Sequence, residues 1–464
     1  MTSRSEGASA HTLLAPAYRR LSASIVVAVV FIAFEAMAVA TAMPKAVPEL
    51  DGLPLYAFAF SGFFTTSLFA MAVSGEICDR RGPLLPLAAG AAAFSAGLLV
   101  AGTAQSMWPF LAGRATQGLG GGLVIVALYV VVGRAYPEDM RPRIFAAMAA
   151  SWVVPSIVGP LVAGLLTDHV SWRWVFLGIA PLVVVPVVLA LPSVRTVDGP
   201  PPGGARARYR GRAWFALATA VGVGALQYAG TRTDVLALVL CVAAFVLVVP
   251  SLPRLLPPGT VVLRRGLPTV VAMRGILAGA FFGTEAFLPL LLVSERGLSS
   301  TVAGLSLTGG AIGWALGSWY QGRSTTTTPR YLLVRSGCVL VAAAIGTVAL
   351  VLVPGVPVVV TMLAWTGGAF GMGLSIASIS VLLFQLSPVE EHGANSAALQ
   401  VCDSLFAAVF VGLAGTIFGS GHGAATGDEA GADVATWVYL VILAVMMALA
   451  AFGAWAAGRV RASG

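Results

Sequence analysis

The sequence predicts an all-α integral membrane protein in which fourteen helices cross the bilayer. The chain of 464 residues is 58% hydrophobic and only 10% charged, so it has too few polar side chains to cover a water-soluble globule. Apolar runs of roughly 18 to 30 residues recur along the whole chain, and a helix of about 20 apolar residues crosses a hydrocarbon core. These runs are too long and too evenly apolar for the strands of a membrane β-barrel.

Each predicted span is an apolar run bounded by a short polar connection, which is typical of a turn between antiparallel helices. Pro44 to Pro54, Thr103 to Met107 and Ser294 to Ser299 are such connections. A backbone that faces lipid satisfies its own hydrogen bonds, so each run is expected to be helical. In chain order the predicted spans are 21–44, 54–75, 83–104, 107–133, 144–167, 172–192, 213–230, 235–252, 267–293, 300–321, 331–353, 356–386, 395–419 and 435–458.

Two breaks in composition divide the chain. Residues 193–212 are rich in Pro, Gly and Arg and predict a flexible cytoplasmic linker, and residues 252–266 form a second break. The pair of spans between them leaves six spans before it and six after it. We therefore expect two six-helix bundles plus two additional helices. The predicted segments are a cytoplasmic N-terminus at 1–20, an N-terminal bundle at 21–192, the linker with the two inserted helices at 193–266, a C-terminal bundle at 267–458 and a cytoplasmic C-terminus at 459–464.

The basic residues predict the orientation, because arginine and lysine resist translocation and mark cytoplasmic loops. With both termini in the cytoplasm, most loop arginines fall inside, whereas Lys45, Arg173, Arg232 and Arg296 fall outside. The net charge of +8 is scattered over many short loops, which argues against a nucleic-acid-binding surface. The prediction is a multi-pass protein of the cell membrane with an even number of spans.

Three carboxylates lie inside predicted spans and are candidates for proton coupling. Glu35 is near the middle of the first span, Glu285 in the middle or outer half of the ninth, and Asp403 in the inner third of the thirteenth. A carboxylate in mid-membrane costs about 2.5–3.5 kcal/mol, so it is normally retained for function or neutralised by a partner. An apolar environment favours the neutral form of a carboxyl group, which suits proton uptake on one side and release on the other.

A structural explanation stays open for each of these groups. Glu35 and Glu285 can make hydrogen bonds to a neighbouring helix, and Asp403 can favour the start of its helix or reach toward the interface. Arg114 is the natural counter-charge in the fourth span, either in proton coupling or in a fixed salt bridge. Arg274 is expected to extend toward the inner interface.

The turn GEICDRRG, from Gly75 to Gly82, predicts a conformational latch formed by Gly75, Asp79, Arg80 and Gly82. An acidic group held between two spans can rest on the positive end of a neighbouring helix or on an arginine, and can release it when the bundles move. The alternative is a solvated pair of loop charges.

Four ordered motifs resemble those of the major facilitator superfamily, and the resemblance covers nearly the whole chain. GEICDRRG is similar to its loop motif, and LAGRATQGLGGG (111–122) to its fourth-helix motif. WVVPSIVGPLVAG (152–164) resembles the fifth-helix motif of drug:proton antiporters, and SWRWVFLGIAPL from Ser171 resembles the sixth-helix opening of their fourteen-helix branch. The sequence departs from the usual pattern in two ways: Pro83 and Leu84 follow Gly82 in place of basic residues, and Glu35 stands where that branch usually has aspartate.

The resemblance implies the major facilitator fold and proton-coupled export of small amphipathic or hydrophobic compounds, such as drugs or antibiotics. It assigns Pro155, Gly159, Pro160 and Gly164 to the antiporter motif, although ordinary packing of small residues also explains them. Candidates for an adaptable substrate cavity are aromatic, thioether and amide side chains, each of which can equally be core or lipid-facing: Phe34, Met37, Gln117, Trp152, Phe282 and Trp365.

The lysine content excludes one energy source for transport. A phosphate-binding loop requires a lysine, and the single lysine of this sequence is Lys45 in a predicted outer loop, so ATP hydrolysis is excluded. We expect the proton as coupling ion, no cofactor or metal, a small-molecule substrate, surrounding membrane lipids and a monomer. A lipid or metabolite exporter and a nutrient symporter remain alternatives. A membrane enzyme or receptor would need a nucleophile cluster, a metal site or a large soluble domain, which the sequence does not show.

Overall fold

The computed structural model describes residues 13, 15, 16, 18–137, 140–195, 211–232, 234–323, 329–388, 391–424 and 428–461. These residues form seventeen α-helices. In chain order they are α1 Arg19–Glu49, α2 Phe58–Arg81, α3 Leu84–Thr103, α4 Met107–Ala135, α5 Arg141–Ala150, α6 Val153–His169, α7 Arg173–Leu177, α8 Ile179–Arg195, α9 Arg212–Ala229, α10 Val235–Leu255, α11 Leu267–Glu285, α12 Leu288–Arg296, α13 Ser300–Arg323, α14 Arg330–Val348, α15 Val358–Leu386, α16 His392–Ala424 and α17 Asp428–Ala456.

Every predicted span coincides with one helix or with two helices in series, which confirms the all-α membrane architecture. The number fourteen is not confirmed, because eleven of the described helical segments are long and apolar enough to cross a membrane. The other three predicted spans do not meet this criterion, for reasons that the structure shows. The fifth span is broken, which leaves α6 with 17 residues. Polar and small residues, such as Gln227 in α9 and the glycines of α13, reduce the hydropathy of those two helices.

Part of the predicted domain organisation lies outside the described residues. This applies to most of the N-terminus, to residues 196–210 of the linker and to residues 462–464. The division into domains therefore stays a prediction. Helices α1 to α8 make up the first six spans, and helices α11 to α17 make up the last six spans. The inner end is the end where α1 begins and α2 ends, and the outer end is the opposite one.

Glycines bring the helices of the first six spans close together. A Cβ at Gly120 would lie 2.6 Å from the carbonyl oxygen of Gly90, so α3 and α4 approach with backbone against backbone. Gly118 and Gly122 place α4 equally close to α2, where a Cβ would meet the backbone of Phe63 and Ser67. Such contacts let small residues drive association where lipid gives no hydrophobic advantage. The close approach also lets polar side chains of α4 reach α2.

The ninth span is interrupted between α11 and α12, at Ala286 and Phe287. The break frees the carbonyl oxygen of Ala286, and the hydroxyl of Tyr56 donates a hydrogen bond to it over 2.8 Å. Tyr56 is fully buried and packs against Phe287, with ring centroids 5.2 Å apart. A contact between the first and the last six spans therefore holds the break in place.

The inserted pair α9 and α10 lies on one side of the molecule. α9 packs between α2 of the first six spans and α16 of the last six. α10 packs on α9 and leaves most of its apolar surface exposed, with Val235 and Phe245 at 78% and 67% exposure. A helix that exposes a continuous apolar surface is expected to face lipid.

Candidate functional site

Glu35, Arg114 and Gln117 form a buried polar cluster between α1, α2 and α4. The Arg114 guanidinium forms a salt bridge with the Glu35 carboxylate and donates a hydrogen bond to Gln117 Oε1. Its Nε donates to the carbonyl oxygen of Ala59 over 2.8 Å. Glu35, Arg114 and Gln117 are only 1%, 3% and 0% exposed. The structure thus brings together the predicted acid and its predicted counter-charge.

The cluster contains a buried donor that is unused. Gln117 Nε2 is buried and has no hydrogen-bond partner among the described residues. The guanidinium carbon of Arg114 also lies 5.0 Å from the centre of the Phe63 ring, which adds a cation–π contact. The arrangement satisfies the charge of Glu35 and leaves an amide group able to bind a further acceptor.

Glu285 differs from Glu35, because no hydrogen bond or ion pair is formed by its carboxylate within the described part of the chain. It is the last residue of α11 and is half-buried, directly before the break at Ala286. In a predicted mid-membrane position, an unpaired carboxylate is costly in its charged form and can be neutralised by a proton or by a cation.

Asp403 and Arg274 pair with each other, and the part of Asp403 in proton coupling stays a prediction. Arg274 was expected to extend toward the interface, but its Nε donates a hydrogen bond of 2.6 Å to the Asp403 carboxylate. The two side chains are each 17% exposed. They join α11 to α16 within the last six spans, so Asp403 is held by an ion pair and does not serve the start of its helix. The sequence missed the pair because 129 residues separate the partners.

A series of aromatic rings connects the polar cluster with the last six spans. Phe63 and Phe64 are 5.9 Å apart, and Phe64 lies 5.7 Å from Phe282 across the gap between α2 and α11. Beyond it, Phe281 stacks on Trp365 at 4.6 Å. Phe63, Phe64 and Phe282 are half-buried, so they offer an apolar surface at the middle of the molecule.

The other predicted cavity residues do not share one surface. Phe34 and Met37 of α1 contact α6 at Gly159. Trp365 is fully buried and Trp152 is 40% exposed. A separate groove of about 320 Å³ lies between α3 and α8, is lined by small and aliphatic side chains such as Ala91 and Val187, and contains none of the predicted residues.

The predicted latch residues lie at the inner end of α2. Asp79 is exposed and makes no hydrogen bond or ion pair with the other described residues. Arg80 pairs with Glu76 of its own helix at 3.5 Å. Gly82 ends the helix with φ of +85°, a backbone conformation that favours glycine. A Cβ at Gly75 would meet nothing within 4 Å, so its role as part of the latch stays a prediction.

The glycine-proline motif of α6 lies where the first and last six spans meet. A Cβ at Gly164 would lie 2.5 Å from the Cα atom of Thr301, so α6 and α13 are in backbone contact there. A Cβ at Gly304 would lie 3.2 Å from the carbonyl oxygen of Pro160. Pro155, Gly159 and Pro160 are buried in the same helix. The motif therefore packs one half of the molecule against the other at the outer end.

Asp168, which the sequence analysis did not single out, reinforces this contact. Its carboxylate accepts hydrogen bonds from the backbone amides of Ser300 and Thr301, over 3.3 and 3.0 Å, and from the Thr301 hydroxyl over 2.6 Å. The carboxylate of α6 thus caps the first turn of α13. A signal was present in the sequence, since Asp168 directly follows the predicted fifth span.

Replacing Asp168 by alanine is expected to separate the outer ends of α6 and α13, because three hydrogen bonds to a charged acceptor disappear. Each such bond contributes about 1.5–3 kcal/mol, so we expect at least about tenfold faster labelling of a cysteine at the buried Ala303 by a membrane-impermeant maleimide. Asp234→Ala is the matched control, because within the described part of the chain Asp234 bonds to Arg232 and to the start of α10 and to no residue of α6 or α13. Equal labelling rates in both variants would contradict the role of Asp168.

Comparison with known proteins places the chain in a family. Residues 25–411 match the Major Facilitator Superfamily. The chain is 25% identical over 426 residues to a probable multidrug-efflux transporter of Mycobacterium tuberculosis, with 89% of each chain covered. It is also 27% identical over 168 residues to the multidrug transporter protein MdtP of Bacillus subtilis. That match covers 36% of this chain and 31% of MdtP.

Solved structures share the fold at low sequence identity. An auto inhibited POT family peptide transporter superposes with a TM-score of 0.71 at 16% identity, covering 96% of this chain and 98% of the other. A bacterial homolog of the human lysosomal transporter Spinster superposes with a TM-score of 0.65 at 12% identity, covering 97% and 99%. At these identities the likeness concerns the arrangement of the helices.

Proposed function

The chain belongs to the major facilitator superfamily, and from this premise we propose that it exports small amphipathic or hydrophobic compounds in exchange for protons. That it is a membrane transporter and not an enzyme follows from the family and from the transporters it resembles. The direction of transport, the coupling to protons and the class of compound are the parts that we propose.

The observation that supports proton coupling is the carboxylate of Glu285 at the break between α11 and α12, which has no partner among the residues that the structure describes. A carboxyl group with no ionic partner is neutral when it is protonated and charged when the proton has left. Its charge in turn determines which compounds can lie next to it. Glu35 differs from Glu285, because Arg114 balances its charge as long as the guanidinium keeps this partner. Gln117, which has an unused donor, lies beside that pair and can take part in such a change.

Alternating access is supported by where the two halves touch. Among the described residues, direct hydrogen bonds between the first and last six spans lie at the outer end or midway, as with Tyr56 to Ala286 and Asp168 to Thr301. At the inner end, Asp79 of the predicted latch is exposed. We infer a conformation that is closed at the outer end and open at the inner end. Movement of the halves about the middle would then expose Glu285 and the half-buried rings around Phe282 to each side in turn.

The proposed function also requires a defined placement of the spans and the termini in the membrane. We propose that all fourteen spans cross the plasma membrane with both termini in the cytoplasm and that the protein works as a monomer. The inner end is then cytoplasmic. A membrane potential supplies about 2.3 kcal/mol per charge per 100 mV, which is sufficient to drive export when one or two protons return. The predicted latch would engage when the inner end closes.

The experiment is a lumen-pH measurement in proteoliposomes that contain the purified protein and a trapped pH-sensitive dye. With an acidic lumen, addition of ethidium, a hydrophobic cation, is expected to make the lumen more alkaline because protons leave as ethidium enters. Acidification on addition of the same compound would indicate symport. No pH change combined with ethidium uptake would exclude proton coupling, and the same assay with a lipid or sugar probe tests the alternative cargoes.

A further inference from the structure

The inserted helix α9 contacts both halves of the molecule, although the proposed function assigns it no role. Its buried Gln227, which is 5% exposed, accepts a hydrogen bond from the Ser61 hydroxyl of α2 over 3.1 Å. The Gln227 amide nitrogen donates to the Ala408 carbonyl oxygen of α16 over 3.0 Å. One side chain thus bonds to the first and to the last six spans at once.

The contacts of α9 with α2 are more extended than those with α16. Ser61 and Thr65 bond to Gln227, and at the inner end Glu76 accepts from the backbone amide of Ala213 over 3.2 Å. Ser61 and Glu76 are about 22 Å apart along an ideal helix. This is the same Glu76 that pairs with Arg80 in the turn of the predicted latch.

The hydrogen bond and the close approaches that the structure shows between α9 and α16 lie in a shorter stretch toward the outer end. Besides Ala408, they involve Gly412, where a Cβ would lie 2.6 Å from the Gln227 side chain. The last is Thr416, whose side chain lies against Gly230 directly after α9. Ala408 and Thr416 are about 12 Å apart along an ideal helix. When the outer end opens, these contacts have to separate, whereas those with α2 can persist.

We propose that α9 is a clasp that moves with the first six spans, and that Gln227 holds the outer end closed by its bond to Ala408. The inserted helices then set the balance between the two access states. Loss of the bond leaves no unsatisfied acceptor on α16, because the Ala408 carbonyl oxygen keeps its hydrogen bond within its own helix. This inference rests on the alternating access described above and not on proton coupling.

The test measures distances between spin labels in the full-length protein, with the four natural cysteines replaced by alanine. Labels at exposed Thr103 and Ser420 report the outer end, and labels at Thr103 and Thr231 report the position of α9 on the first six spans. Gln227→Leu is expected to raise the outer-open population roughly threefold to tenfold, without changing the Thr103–Thr231 distance. Thr219→Val is the matched control, because Thr219 is buried in α9 and its hydroxyl bonds to Phe215 of the same helix and to no other described residue.

A second variant covers the case in which Gln227→Leu does not fold. Gly412→Ala places a Cβ 2.6 Å from the Gln227 side chain, so it pushes α16 away from α9 while Gln227 keeps its bonds to Ser61 and Thr65. It is expected to raise the outer-open population without changing the Thr103–Thr231 distribution. Distributions equal to the parent in every variant that folds would overturn the proposal, as would a Gln227→Leu effect matched by Thr219→Val. Because the measurement uses neither substrate nor a proton gradient, it stands or fails separately from the vesicle assay.

Discussion

Glu285→Gln is expected to abolish the pH response of proteoliposomes to ethidium while leaving the protein folded. Glutamine has nearly the same size as glutamate and cannot bind and release a proton in the physiological range. The carboxylate of Glu285 has no ionic partner among the described residues, so its removal leaves no opposite charge unpaired. The lumen-pH signal is therefore expected to fall to the level of empty liposomes, and the thermal unfolding temperature in detergent should equal or exceed that of the parent.

Two controls separate coupling from general damage. Thr284→Val changes the neighbouring buried residue, whose hydroxyl bonds only to Ala280 within α11, and should retain the pH response. Exchange of labelled for unlabelled ethidium should persist in Glu285→Gln, because such exchange requires no net proton movement. A Glu285→Gln protein with the parent's full pH response would remove Glu285 from the mechanism.

The helices could be predicted from the sequence because lipid imposes a simple rule. Each apolar run of about 20 residues has to satisfy its own backbone, so length and hydropathy suffice to locate it. The breaks within spans could not be predicted in the same way. The interruption after Glu285 depends on Tyr56, which is distant in the sequence and supplies a hydrogen bond to the freed carbonyl group.

The residues of the candidate site could be predicted from the sequence, but their pairing could not. The cost of a charge in the membrane identifies Glu35, Glu285 and Asp403, but says nothing about which arginine approaches which acid. Arg114 lies beside Glu35 as predicted, whereas Arg274 proved to pair with Asp403. Uncharged polar residues give a weaker signal in the sequence than charged ones, so Gln227 was not predicted as a site residue within its apolar span.

The pair Glu35 and Arg114 is expected to behave differently from Glu285, because each charge depends on the other. Arg114→Gln leaves the Glu35 carboxylate buried without a counter-charge, and loss of one partner of a buried pair costs about 3–5 kcal/mol. Glu35→Gln is expected to cost at least as much, since the guanidinium cannot release its proton and stays charged, although it keeps its hydrogen bonds to Gln117 and to the Ala59 carbonyl oxygen. The double variant removes both charges and should recover most of the stability lost in Arg114→Gln, as measured by denaturant unfolding in detergent.

This cycle of variants also decides between the two roles that the sequence left open for the pair. If Glu35 and Arg114 only hold α1 against α4, restoring stability in the double variant should restore the pH response to ethidium as well. If the pair takes part in proton coupling, the double variant should be stable and still uncoupled, because neither glutamine can exchange a proton. We expect the second result, since a purely structural contact in this position could be made by apolar side chains at lower cost. Recovery of coupling in the stable double variant would leave Glu285 as the proton-binding group of the mechanism.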